Sequence, residues 1–248
     1  MTAPHPDPQS ARQGAPRISL IARLLDLLSP RTCCICGQRL SPTEEELCVG
    51  CNLSLPRTGL AASPLDNLLA RRFWGQVSVE RCAALFYYEV HSSAKRPVLR
   101  IKYLDHPDTA VFFGKMMANE FAEEGFFDGV DAIVPVPLAK ARQRQRGYNQ
   151  SEMLARGMAE ATGLPVETGV ALRSAFKASQ TRLSRMERFD NVAGLFGIRH
   201  PERIEGRHLL IVDDVITTGA TTATLARQLL LAGAGAVSIA ALACTRHL

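Results

Sequence analysis

Two adjacent carboxylates, Asp213 and Asp214, close the apolar run Leu209-Leu210-Ile211-Val212. Val215-Ile216 and the turn Thr217-Thr218-Gly219-Ala220-Thr221 follow them. Paired carboxylates accept hydrogen bonds from sugar hydroxyls and ligate a hard cation such as Mg²⁺. A turn of hydroxyls and glycine that opens a helix offers unpaired N–H groups and the positive end of the helix dipole, which suit a phosphate. Side by side, these two features describe a site for a phosphorylated ribose. The elements that must hold it are legible in the same stretch. An unbroken apolar run reads as a central parallel strand, here Leu209 to Val212, buried on both faces, and the turn then leads into a helix from Thr217 to Leu231. In open α/β sheets ligands collect at the carboxyl ends of such strands, where the two aspartates fall. The plainer alternative is an ordinary strand–helix turn with Thr217 as N-cap and two solvated acids.

Residues 209 to 221 match, at all thirteen positions, the signature of the type I phosphoribosyltransferases: four apolar residues, two acids, an apolar residue, any residue, two Ser/Thr, Gly, any residue, Ser/Thr. A match of that length argues against the plainer reading. The resemblance implies that Asp213 and Asp214 face the ribose 2′- and 3′-hydroxyls of phosphoribosyl pyrophosphate (PRPP) and serve as the catalytic pair. It also implies that Thr217, Thr218, Gly219, Ala220 and Thr221 hold the 5′-phosphate, and that Mg²⁺ accompanies PRPP.

A second chemistry lies near the N-terminus. Cys33/Cys36 and Cys48/Cys51 form two Cys-x-x-Cys pairs separated by eleven residues. Two residues between thiolates let both sulfurs of a knuckle face one tetrahedral cation, and two knuckles complete a Cys₄ shell. Disulfides are the rival reading. The first seventeen residues are polar and proline-dotted, without the apolar core of a secretory signal, so a cytoplasmic chain with reduced thiols is expected. Structural zinc is therefore the expectation, with an iron–sulfur cluster or a redox pair as the remaining alternatives. With all four ligands from protein, no position is left open for catalysis. Cys34 is a spare ligand at most, and Cys82 and Cys244 read as small core residues.

The chain of 248 residues is 46% hydrophobic, enough for one α/β domain and a small appendage, and no apolar run reaches the ~20 residues that span a bilayer. Its formal charge of +5 is localised, because residues 138–191 hold ten Lys/Arg against five Asp/Glu. The expected organisation is a disordered segment over 1–17, an amphipathic helix over 18–28 and metal knuckles over 31–58, followed by a polar linker. Strands at 81–89, 132–137 and 236–243 and helices at 94–103, 109–123 and 151–162 complete an alternation that predicts a mostly parallel sheet flanked by helices. The domain boundaries read 18–60 for helix plus ribbon and 61–248 for the α/β domain. Between 140 and 150, alternate arginines (Arg142, Arg144, Arg146) read as a basic loop at a strand's carboxyl end, where paired guanidinium donors suit a pyrophosphate. A later polar stretch, 173–191, repeats the theme with Gln180, Arg182, Arg185, Arg188 and Asn191 and reads as a lid. The plainer account of both is solvated basic surface.

Taken together, the chain resembles the ComF family, which joins an N-terminal Cys₄ zinc ribbon to a type I phosphoribosyltransferase-like domain. The resemblance rests on the four cysteines, Lys102-Tyr103, Val136-Pro137-Leu138, Arg142, Arg144, Arg146-Gly147-Tyr148-Asn149-Gln150, Gln180, Arg188, Asn191 and residues 209–221. It covers roughly 24–245; the doubled Cys33-Cys34 and the extended N-terminus depart from it. It implies a PRPP-dependent transferase with Arg142, Arg144 and Arg146 on the pyrophosphate, Arg185 and Arg188 on the lid, and an acceptor-binding hood within 77–125. It also implies an association with natural competence and DNA uptake. The acceptor and the oligomeric state are unreadable. The rival hypothesis is a non-catalytic module that senses PRPP or a nucleotide and binds single-stranded DNA through phosphate contacts and stacking on Tyr148 or Phe189.

Overall fold

The computed structural model describes residues 30–103, 106–173 and 195–246. The expectations for 1–17 and 18–28, and those for Gln180, Arg182, Arg185, Arg188, Phe189 and Asn191, lie outside the described residues.

Past the two knuckles and a short helix α1 (Val49–Ser54), the chain alternates strands and helices. They are β1 (Cys82–Tyr87), α2 (Arg96–Tyr103), α3 (Pro107–Ala122), β2 (Ala132–Pro135), α4 (Lys140–Arg146) and α5 (Gln150–Thr162). There follow β3 (Ala171–Arg173), β4 (Phe196–Ile198), β5 (His208–Ile216), α6 (Ala220–Leu231) and β6 (Ala236–Cys244). β1, β6, β5 and β2 form one sheet in that order, with every pairing parallel. Val166 adds a parallel bridge to Ile133 at the β2 edge, and β3 and β4 make a separate antiparallel pair.

The apolar runs of β5 and β6 are buried on both faces because their alternate residues feed two cores. Leu210, Val212, Ala240 and Leu242 pack with α2, α3 and α5. Leu209, Ile211, Ile239 and Ala241 pack with α6 and with Leu69 and Phe73. The layered α/β architecture read from the sequence is thus present, a parallel sheet between helices. On the first face α3 and α5 approach very closely. A Cβ on Gly157 would lie 2.0 Å from the Val111 carbonyl oxygen, and one on Gly114 2.1 Å from that of Leu154.

Four expectations change. β5 runs on through both aspartates to Ile216, and its helix starts at Ala220 rather than Thr217. The 140–146 segment is a two-turn helix and not a loop, ended by Gly147 at φ 86°. Lys, Arg, Gln and Ala all favour helix, and the αL glycine closes it. Instead of a polar linker, residues 60–72 contain two 3₁₀ turns folded around buried Asn67, whose Nδ2 donates to the carbonyls of Ser63 (2.9 Å) and Cys82 (2.8 Å) while Oδ1 accepts from the N–H of Leu69 and Ala70 (both 2.9 Å). Of the 77–125 segment, α3 is a core helix, and only the end of α2 reaches the site described next.

Candidate functional site

Asp213 and Asp214 sit within β5 on opposite sides of the strand, so they face different partners. Asp213 Oδ1 accepts from Ser151 Oγ (3.2 Å) and from the Asp214 N–H (2.9 Å), and Oδ2 lies 3.5 Å from Thr222 Oγ1. Ser151 is placed by the N-cap of α5, where Asn149 Oδ1 accepts the Ser151 N–H while Asn149 Nδ2 holds the Val136 carbonyl at 3.0 Å. Burial, and then the neighbouring Asp214 charge, push the Asp213 carboxyl up from 3.8 to about 7, against the opposing pull of the Asp214 N–H, Lys102 and Ser151.

Asp214 is buried, and Lys102 Nζ, at the end of α2, lies 3.1 Å from its Oδ1. Its Oδ2 is also buried and has no hydrogen-bond partner among the described residues. A buried carboxylate oxygen without a donor is costly, and such an atom suits a cation or a hydroxyl from a ligand.

The turn that follows is held from behind. Gly219 adopts φ 81°, and a Cβ there would stand 3.1 Å from the Phe73 ring, so glycine is needed for both conformation and space. The buried guanidinium of Arg72 donates through Nη1 to the carbonyls of Thr217 and Ile216 (3.3 Å for the latter) and to Thr245 Oγ1 (3.1 Å), and through Nη2 to the Thr245 carbonyl. Thr217, whose carbonyl is held by Arg72, and Thr218 are exposed, and the Ala220 N–H leans on Thr218 Oγ1 at 3.4 Å. Thr221 is half-buried in the first turn of α6. Gly219 offers α6 no side-chain cap, so first-turn N–H groups beside these threonines are available to an anion such as a phosphate.

A cavity of about 590 Å³ lies on the other side of Lys102, the residue that pairs with Asp214. Lys102, Tyr103, Arg142, Arg144, Gln145, Arg146 and Gly147 line it. All three arginines expected to meet a pyrophosphate thus reach one cavity, though from a helix. Arg142 and Arg144 are exposed; Arg146 is hydrogen-bonded to Gln150 Oε1 and lies 5.8 Å from the centre of the Tyr103 ring. Tyr148 is half-buried and its hydroxyl donates to the Ile101 carbonyl, so it is a packing residue and not the free stacking ring expected. Tyr103, 71% exposed, is the ring that faces outward. Ser151, Thr222, Arg72 and the Lys102–Asp214 pair were not read from the sequence. Only Lys102 left a trace there, as part of a Lys-Tyr pair after an apolar helix.

The four cysteines form the second centre. The Sγ atoms of Cys33, Cys36, Cys48 and Cys51 all lie within 4.8 Å of one another, and those of Cys36 and Cys48 are 3.7 Å apart. Tetrahedral zinc with ~2.3 Å bonds would set its sulfurs about 3.8 Å apart, so the four can share one metal ion. Burial opposes ionisation of Cys33, but N–H groups of Cys36, Cys48 and Ile35 outweigh it and bring that thiol down to about 6. Cys34 stands outside the cluster, buried, its thiol pushed up to about 12 by burial and by the Cys33 charge. Cys82 and Cys244 are buried in the core. Among the described residues no helix is long and apolar enough to cross a membrane.

No family model matches the chain. It is 29% identical over 223 residues to the DNA utilization protein YhgH of Salmonella typhimurium, an alignment covering 86% of this chain and 96% of that protein. It is 24% identical over 216 residues to the competence protein ComFC of Bacillus subtilis, covering 86% and 85% of the two chains. Among solved structures, the glutamine PRPP amidotransferase of B. subtilis overlaps 58% of this chain and 30% of its own at 24% identity, with a TM-score of 0.43. At that score the fold rests on the sheet order given above and not on the overlap. Across most of its length the chain is thus similar to proteins named for DNA utilization and for competence.

Proposed function

We propose that the chain binds Mg·PRPP and transfers its phosphoribosyl group to an acceptor nucleophile. The observation that carries this reading is the buried Asp214 Oδ2, without a donor among the described residues, one helix-opening turn away from exposed Thr217 and Thr218. Asp213 and Asp214 take the ribose hydroxyls, Thr217 to Thr221 the 5′-phosphate, and Arg142, Arg144 and Arg146 the pyrophosphate; Arg185 and Arg188 are assigned to the lid on the sequence alone. The bond from C1 to the pyrophosphate oxygen breaks, its electron pair leaving with pyrophosphate, and the acceptor bonds to the opposite face of C1. Arginine donors fixed on α4 stabilise charge that grows on the leaving oxygen, and the acidic pair orients the sugar. Asp213 and Asp214 are the residues that would hold a divalent cation, which would neutralise part of that charge.

The ribbon is assigned structural zinc on Cys33, Cys36, Cys48 and Cys51, with 18–60 as helix plus ribbon and 61–248 as the transferase-like domain. A Cys₄ zinc shell requires reduced thiols, which suits a cytoplasmic setting, and the names of its relatives point to DNA uptake or use. Calorimetric titration of Mg·PRPP tests the reading. Binding that disappears in the double variant Asp213→Asn, Asp214→Asn supports it, as does pyrophosphate release with one of a panel of nucleobase, amine and ammonia acceptors. No response at millimolar PRPP from folded protein ends it.

A second reading, a non-catalytic single-stranded-DNA module, is favoured by the outward Tyr103 ring beside three arginines in one cavity. Salt-sensitive binding of oligonucleotides that survives the double aspartate substitution, and whose salt slope flattens when Arg142, Arg144 and Arg146 are neutralised, distinguishes it.

A further inference from the structure

Lys102 stands between the two chemistries of the site. Its Nζ is 3.1 Å from Asp214 Oδ1, and its side chain also lines the cavity of Arg142, Arg144 and Arg146. One ammonium therefore faces both the carboxylate that a divalent cation would need and the wall that a diphosphate would occupy. The two carboxylate oxygens of Asp214 are not equivalent, since Oδ1 holds Lys102 while Oδ2 is buried without a partner among the described residues. A buried ion pair is little screened, so a cation approaching Asp214 has to overcome Lys102 directly. Lysine suits an exchange of partners, being a compact charge on a flexible four-carbon stem rather than a rigid fork. Its side chain is 24% exposed against 8% for Asp214, so the lysine is the partner with room to move.

We propose that Lys102 is a positioning residue that exchanges counter-ions. In the free protein it neutralises Asp214 and keeps bare divalent cations off the acidic pair. When metal and PRPP arrive together, its ammonium passes to the diphosphate in the arginine-lined cavity and releases Asp214. The site thereby admits the metal with its substrate and not the metal alone. This rests on the PRPP reading above.

The test titrates Mn²⁺ alone, and then Mn²⁺·PRPP, into wild type, Lys102→Met and the more polar Lys102→Gln, following free Mn²⁺ by paramagnetic resonance. Loss of the competing ammonium should tighten binding of Mn²⁺ alone by about tenfold and weaken Mn²⁺·PRPP by about tenfold, the scale of one partly buried ion pair. A merely structural lysine predicts that both affinities fall together. Shifts of the same sign, or none, in whichever variant keeps the wild-type circular dichroism overturn the exchange while leaving the PRPP reading intact. A wild type that ignores Mn²⁺·PRPP overturns both.

Discussion

Asp213 and its neighbour show what burying two adjacent carboxylates costs. Asp213 touches Ser151 Oγ and Thr222 Oγ1 and still has its carboxyl pushed up to about 7 by burial and by the Asp214 charge. Between 3.8 and about 7 the folded chain therefore holds a proton that the unfolded chain has released, so stability falls as pH rises through that window. The cost is absent below the window and complete above it. Asp213→Asn should accordingly raise the melting temperature of the ligand-free protein at pH 8 and leave it nearly unchanged at pH 4. Thermal unfolding of both proteins across that range checks it, and an equal gain at both ends would contradict the electrostatic account.

At the scale of elements, the site depends on a helix crossing that tolerates no side chain. Ser151 opens α5, and α5 is seated on α3 through Gly114 and Gly157, where added Cβ atoms would fall 2.1 and 2.0 Å from backbone oxygens. Gly157→Ala must push the helices apart and should destabilise the protein by about 3 kcal/mol, the upper part of the usual range for overpacking. A lower denaturant midpoint, with weaker PRPP binding from the displaced Ser151, is the expected outcome. The same scale explains what was legible beforehand. β5 and its acids could be read because the apolar run, the doublet and the turn are contiguous and each obeys a local rule. The 140–146 helix could not, since it has no buried residue to give it an apolar period. Arg72, Ser151 and Lys102 were hidden for another reason: they act 145, 62 and 112 positions away, on Thr217, Asp213 and Asp214, through contacts that exist only once the sheet has formed.

For the molecule as a whole, the ribbon is fastened to the helices that carry part of the site. Arg96 donates to the Ile35 carbonyl, Thr109 Oγ1 donates to Glu46 at 2.8 Å, and Arg100 lies 3.8 Å from the same carboxylate. Arg96 and Arg100 belong to α2, the helix that ends in Lys102. Removing the metal should thus be felt at the acidic pair. We expect about one zinc per chain by elemental analysis, the count for a single Cys₄ shell. Cys36→Ser should lose it together with thermal stability and PRPP affinity, while Cys34→Ser, altering a sulfur outside the cluster, should retain the zinc. Full zinc in Cys36→Ser would reassign the ligands.

The clamp behind the Thr217–Thr221 turn has an optical consequence. The chain has a single tryptophan, Trp74, next in sequence to Phe73, whose ring abuts Gly219, and 5.6 Å from the Arg71 guanidinium. Tightening of the turn would press on the Phe73 ring beside this indole, so native emission is expected to change on ligand arrival, which a fluorescence titration without dye or engineered label checks.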